Sequence, residues 1–479
     1  MRSMSVSWFL VAGSLTLALL ASPQAKAQGA PPAATTSTDA AVEPPPPAET
    51  PPVPEVPPVP ETPPVPETVP VVETPVTTTA VVVEPEVPPV VLAPAPAAIR
   101  PPTGGPQLEG SRDGVPDCRA GAAACWKNDL FALWPRLRLR AGYEFVQADS
   151  QILTVGQNDG FFLDQTRFGV DGAFKDDLRF RLIVDVVTLV PGGAPNDPVQ
   201  GFNAAVRDAW VAWIPSDWFF ISAGQQFMPA DLEGSTTIAA LPFARRSVAS
   251  GGVRPGHGFA VGGLSPARQL GVVLGSTEKA KLGPLGLEYL FGIGNGNGQN
   301  ISGNDNKLPA GYARLGVGFE DLVRIGGGVR HNPRTVGTLP NLFNEVDNLG
   351  FVDASLNLMG ISVAGQFIYK STSFGTLFPD AGEGSSDTGL GASAWLFADE
   401  PFGVSLFGFV PAYRFSYYDP SSSFADDQLL ENTLGVRWDV PVKDLPLSLF
   451  VDATVLTELG EGVRDLDNAR VTALLQLEL

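Results

Sequence analysis

Cysteine and histidine are nearly missing, at two residues each in a chain of 479. A disulfide-built scaffold and a cysteine-ligated metal centre are therefore excluded, and a histidine-rich metal site or relay has little to be made from. Positive charge is also short: 31 basic residues stand against 51 acidic ones, a net charge of −20. A nucleic-acid partner, which needs a basic surface, is excluded as well. After the first 20 residues no apolar run reaches the 18 or so that a membrane helix requires. The two histidines, His257 and His331, sit in polar stretches without a nucleophile motif beside them. They are expected to be surface loop residues, and the chain is expected not to be an enzyme. No calcium-loop spacing occurs in the Asn-rich stretch 295–306. No cofactor or metal is expected.

Proline and glycine are abundant and divide the chain. Of 46 prolines, 25 fall between Pro31 and Pro106, whereas the 52 glycines lie almost wholly beyond. Ahead of both, Arg2, an apolar run from Val6 to Leu20, and Ala25-Lys26-Ala27 compose a secretory signal peptide over residues 1–27. Residues 28–107 follow, with an imperfect six-residue repeat typified by Pro57-Pro58-Val59-Pro60-Glu61-Thr62. Proline fixes φ and removes an amide donor, so helix and sheet are both blocked. The expectation is a disordered, polyproline-rich periplasmic linker that can reach the cell wall. Residues 108–135 are read as a short periplasmic segment with a small disulfide loop between Cys118 and Cys125, the expected state in an oxidising compartment.

From Arg136 the pattern changes to period two. In Arg136-Leu-Arg138-Leu-Arg140-Ala-Gly-Tyr143-Glu144-Phe145 the leucines, Tyr143 and Phe145 share one face and the charged residues the other. Sixteen such strands are expected, beginning near residues 136, 160, 178, 205, 219, 268, 285, 313, 323, 350, 361, 388, 404, 430, 447 and 469. Their connections alternate. Residues 149–159, 190–204, 228–267, 293–312, 331–349, 372–387, 418–429 and 457–468 are long, polar or glycine-rich loops, whereas Lys175-Asp176-Asp177 and Met359-Gly360 are tight turns. An even strand number with short turns on one side and long loops on the other is the pattern of an outer-membrane barrel. Trp213, Trp218, Tyr289, Trp395, Tyr413, Tyr417 and Trp438 are placed as interfacial girdles. The fold class predicted for residues 136–479 is an all-β, sixteen-stranded antiparallel transmembrane β-barrel, preceded by the disordered proline-rich segment. The location implied is the outer membrane of a Gram-negative cell.

Four ordered pieces carry a family likeness: Gly224-Gln225-Gln226-Phe227-Met228-Pro229, Pro242-Phe243-Ala244-Arg245-Arg246-Ser247, Ala267-Arg268-Gln269-Leu270-Gly271-Val272, and Gly292-Ile293-Gly294-Asn295-Gly296-Asn297-Gly298. In this order on the strand map the body resembles the phosphate-selective porins of the O and P type. That resemblance implies a homotrimer in outer-membrane lipid that passes small anions through a pore lined with arginine and lysine.

Parity sends Arg136, Arg138, Arg140, Arg167, Arg179, Arg181 and Arg268 into the lumen, because a charge on the lipid face costs about 2–4 kcal/mol at the midplane. Arg245, Arg246 and Arg254 lie in the longest loop, residues 228–267, which can fold inward. These ten residues are the candidate anion-binding set. Two other readings stand beside it. In one, lumenal arginines pair with Glu144, Asp171, Asp185, Asp353, Glu431, Asp439 and Asp452 across a general, weakly selective porin. In the other, the barrel is an anchor and residues 28–107 tether it to the cell wall.

Overall fold

The computed structural model describes residues 126–479 apart from 153–154, 157–158, 176, 187–203, 255, 267, 302, 305, 321, 339–340, 375–385, 425–426, 443–445, 461–465, 467 and 479. The signal peptide, the proline tract and Cys118 and Cys125 lie outside the described residues.

Sixteen antiparallel strands close into one barrel: β1 (Phe131–Val146), β2 (Gly160–Phe174), β3 (Leu178–Asp185), β4 (Ala205–Ser216), β5 (Phe219–Phe227), β6 (Arg268–Gly275), β7 (Leu285–Gly294), β8 (Ala310–Phe319), β9 (Val323–Thr338), β10 (Asn341–Leu358), β11 (Ile361–Phe374), β12 (Ser386–Ala398), β13 (Phe409–Asp419), β14 (Gln428–Val440), β15 (Leu447–Leu459) and β16 (Arg470–Glu478). Each strand pairs with its neighbours in sequence. The circle is completed by β1 on β16, running from Arg138 opposite Glu478 to Val146 opposite Arg470. β5 and β6 pair directly although residues 228–267 intervene. Closure leaves no unpaired strand edge, the condition for placing strands in hydrocarbon.

The two faces separate as the alternation requires. On β1, Leu137, Leu139, Tyr143 and Phe145 are exposed on the outside while Arg140 and Glu144 are buried inside. Leu315, Val317, Val352, Leu434, Val451, Val455 and Leu475 continue the outward apolar belt around the wall. So wide an apolar exterior marks a surface meant for another apolar phase. Among the described residues, no helix is long and apolar enough to cross a membrane.

Four expectations about the elements need correction. β1 begins at Phe131, ahead of Arg136, because Phe131-Ala132-Leu133-Trp134 already alternates and buries Ala132 and Trp134 inside. β13 begins at Phe409, after a 3-10 turn at Pro401–Gly403, and not near residue 404. Residues 331–349 are not a loop. β9 and β10 stay paired to Thr338 opposite Asn341, with Arg334 donating to Glu345 (3.1 Å) and Thr335 to Asn344 (3.1 Å). Above the lipid both faces of a hairpin can be polar, so the apolar alternation that identifies a strand is missing there. Trp395 is not at an interface. It faces inward and is buried against Phe243 of the long loop.

Candidate pore constriction

The loop between β5 and β6 folds into the barrel and is held by both apolar and polar contacts. Its two short helices are α1 (Leu232–Ser235) and α2 (Val248–Gly251), N-capped by Asp231 and Ser247, whose side chains accept from the amides of Gly234 and Ser250. Asp231 also accepts from Ser265 (2.7 Å) and Ser250 (3.3 Å), which ties the start of the loop to its end. Val248 and Ala249 of α2 pack on Leu349, Phe351, Ile368, Tyr418, Leu429 and Leu456 of the wall. Phe243 packs with Leu232 against Ala364, Trp395 and Ala412. Glycine makes this approach possible. A Cβ on Gly391 would lie 2.9 Å from the Ala249 side chain, and one on Gly435 would lie 3.1 Å from the Phe243 ring. Met228, Phe220, Val273, Leu290 and Tyr312 form a further apolar cluster where the loop leaves the wall.

Buried charges fix the register of the loop on the wall. Arg414 of β13 bonds to Glu431 of β14, lies 3.4 Å from Glu233 of α1, and donates to the carbonyl of Arg245 (2.7 Å). Glu431 accepts from the Val248 amide (2.7 Å), and Asp452 of β15 from the Ala244 amide (2.7 Å). Each buried carboxylate thereby has charged or amide donors, without which burying it would be prohibitive.

The candidate arginines fall into three groups. Arg140 and Arg254 meet Asp164 of β2 at 2.7 and 3.2 Å, and Arg245 lies 3.6 Å from the same carboxylate, so three guanidinium groups share it. Arg245 is also bidentate to Glu144 (2.9 and 3.1 Å) with its guanidinium 4.9 Å from the Phe162 ring. A second group lines the wall away from the loop. Arg136 and Arg181 share Asp171 at 2.8 and 2.6 Å, Arg167 meets Asp185 at 2.9 Å, Arg268 meets Asp208 at 2.9 Å, and Arg138 meets Glu478 at 2.6 Å. The third group bonds to backbone. Arg246 donates to the carbonyls of Glu233, Gly234 and Thr236 at 2.8–2.9 Å, and Arg179 to those of Lys175 and Leu178 at 3.3 Å. The adjacent Arg245 and Arg246 therefore do not present a joint positive tip. Arg246 and Arg254 are both half-buried, and the Arg254 side chain keeps an open side.

Five residues of the site were not among those singled out from the sequence, Asp164, Asp208, Arg207, Glu233 and Arg470, and a sixth, His257, was assigned to the surface. Asp164 escaped because β2 carries a bulge, Arg140 standing opposite Gln165 while Ala141 stands opposite Leu163. The extra residue re-aims its side chain, and period-two parity is lost across it. His257 is not a surface residue. It is buried, its Nε2 lies 2.7 Å from Glu144 and its Nδ1 3.0 Å from Arg470. Burial draws its imidazole down to about 4, against the opposing pull of Glu144. His331 is exposed, as expected, but on β9, where its Nδ1 meets Asn348 at 2.8 Å.

Solved outer-membrane channels share this fold. The outer-membrane channel DcaP of Acinetobacter baumannii has a TM-score of 0.50 at 14% identity, covering 74% of this chain and all of that one. The anion-selective porin from Comamonas acidovorans gives 0.48 at 14% identity, over 73% of this chain and 99% of that one. OmpT of Vibrio cholerae gives 0.47 at 14% identity, over 74% and 100%. The likeness is one of fold, a closed antiparallel β-barrel. No family model matches the chain, and no curated protein matches it.

Proposed function

We propose that the protein is an outer-membrane porin, a passive diffusion channel with a preference for small anions. The observation that carries this reading is an asymmetry within the ion pairs. At the loop, the Arg254 side chain is 40% exposed and its partner Asp164 only 2%; on the wall, Arg136 is 28% exposed and Asp171 7%. Arg181 and Arg207 likewise stand in front of Asp171 and Asp185. At these pairs solvent in the lumen meets guanidinium while the compensating carboxylates sit behind it, whereas Arg167–Asp185 and Arg268–Asp208 are equally buried on both sides. Arginine presented to a pore favours anions. Arg138–Glu478 and Arg437–Asp439, both towards the short-turn end, run the other way, as does Arg314–Glu288.

Phosphate as permeant, a homotrimeric assembly, export by residues 1–27 and a periplasmic linker at 28–107 belong to the same proposal and rest on the sequence. A general porin is the second reading, favoured by the acid partners of so many lumenal arginines, among them Asp171, Asp185, Asp353, Glu431 and Asp439. Planar-bilayer recording of the full chain decides between them. Stepwise conductance with an anion-selective reversal potential across a salt gradient is expected, and a cation-selective one would leave the general porin. A barrel that conducts no ions would instead favour the anchor whose proline-rich tract holds the cell wall.

A further inference from the structure

His257 stands where the barrel closes. Glu144 faces it from β1 and Arg470 from β16, the two strands of the closing seam; Arg245 faces the same carboxylate from its own loop. Glu458 of β15 lies beside the neighbouring Gly258. Thr472 of β16 also donates to Glu144 (2.8 Å), so the carboxylate is fully engaged. These contacts fix the state of the ring. Arg470 can only donate, so Nδ1 must accept and carry no proton, while Nε2–H donates to Glu144. The imidazole is therefore neutral and in a single tautomer. The His257 amide donates to the Arg254 carbonyl (3.1 Å), closing the turn that carries this arginine.

We propose that His257 is a pH-sensitive positioning residue, a latch that holds the Arg254 turn on the β1–β16 seam while neutral and lets it go when Nδ1 takes a proton. Protonation removes the acceptor that Arg470 uses and sets a third cation beside Arg470 and Arg245. The attraction of Glu144 for an imidazolium opposes this, but burial and the neighbouring cations outweigh it. The low proton affinity of the buried ring keeps the latch shut near neutrality: with a midpoint of about 4, roughly one ring in a thousand is charged at pH 7. The other histidine of the chain, His331, is exposed.

The inference rests on the channel reading only in its electrical arm, so the two are tested separately. Histidine-labelled full chain in detergent micelles is titrated by NMR, unmodified and as His331→Gln, which leaves one imidazole. A neutral Nε2–H ring at pH 7, with a midpoint well below the free value of about 6.5, is expected. A midpoint at or above that value, or the opposite tautomer, overturns the latch. In bilayers, brief current transitions should become severalfold more frequent between pH 7 and pH 4. His257→Gln, whose amide can donate to Glu144 and accept from Arg470 but cannot titrate, should stay quiet over the same range. If this variant follows the wild type through the acid range, the positioning role is wrong. Silence of both chains at every pH, together with a low imidazole midpoint, would support the latch and overturn the channel.

Discussion

Replacing Phe243 by alanine tests whether the loop is a fixed part of the barrel interior. The ring is 1% exposed and fills the space between Leu232, Ala364, Trp395 and Ala412, with the Arg414 guanidinium 4.5 Å from its centroid. Truncating a phenylalanine in such surroundings costs about 3–5 kcal/mol, from lost transfer energy and the cavity left behind. The lost cation–π contact, worth on the order of 1 kcal/mol, falls within the same figure. Neighbouring ties at Ala244 and Arg245 are polar and survive the change, so the loop should loosen at α1 and remain attached at the β1 side. Two readings follow from one variant: a lower urea midpoint for the barrel folded in micelles, and a larger unit conductance. A midpoint within about 0.5 kcal/mol of wild type with unchanged conductance would refute the reasoning, because surface substitutions have effects of that size.

Most of the barrel could be read from the chain because one physical condition dominates it. A strand between lipid and an interior must alternate, and its charges must point inward, so β2, β3, β4, β5, β6, β7, β9, β11 and β15 begin at the expected residues. What was illegible lies where that condition lapses. Above the lipid, 331–349 has no apolar side to show. At 401–408 the left-handed backbone of Phe402 and Phe407 breaks the strand early, and neither position announces itself by glycine or asparagine.

The site was legible in kind but not in arrangement. Arg136, Arg140, Arg167 and Arg181 were placed inside by parity alone, and inside they are. Which carboxylate each would meet depends on cross-strand register and on the loop, and neither is encoded locally. Asp164 needed the bulge to be known. His257 and Glu233 needed the path of the loop, which is set by contacts with wall residues more than 100 positions away, such as Gln366 accepting from the Glu233 amide at 2.8 Å. Pairing also changed the meaning of the arginines, since their exposure relative to their partners, and not their number, supports an anion preference.

Three further outcomes are expected. Arg414→Met should be strongly destabilising, by about 3–5 kcal/mol in urea titration, because Glu431 and Glu233 would be left buried without their cation. The contribution of His257 to stability should decline as pH falls from about 6.5 towards 4, since the unfolded chain binds its proton before the folded one does. In equilibrium unfolding that part of the pH dependence should vanish in His257→Gln. The last test concerns sign. Arg254→Gln removes a lumenal positive charge, and Asp164→Asn removes the negative charge behind three guanidinium groups. For an ion passing about 4 Å away in a water-like medium, one unit charge is worth about 1 kcal/mol, a roughly fivefold change in local concentration. The first variant should therefore lower the anion-to-cation permeability ratio and the second raise it, measured by reversal potential in about 0.1 M salt. Both effects should shrink near 1 M, where the screening length falls to about 3 Å. If both variants move the ratio in the same direction, the shape of the loop governs selectivity and the exposed charge does not.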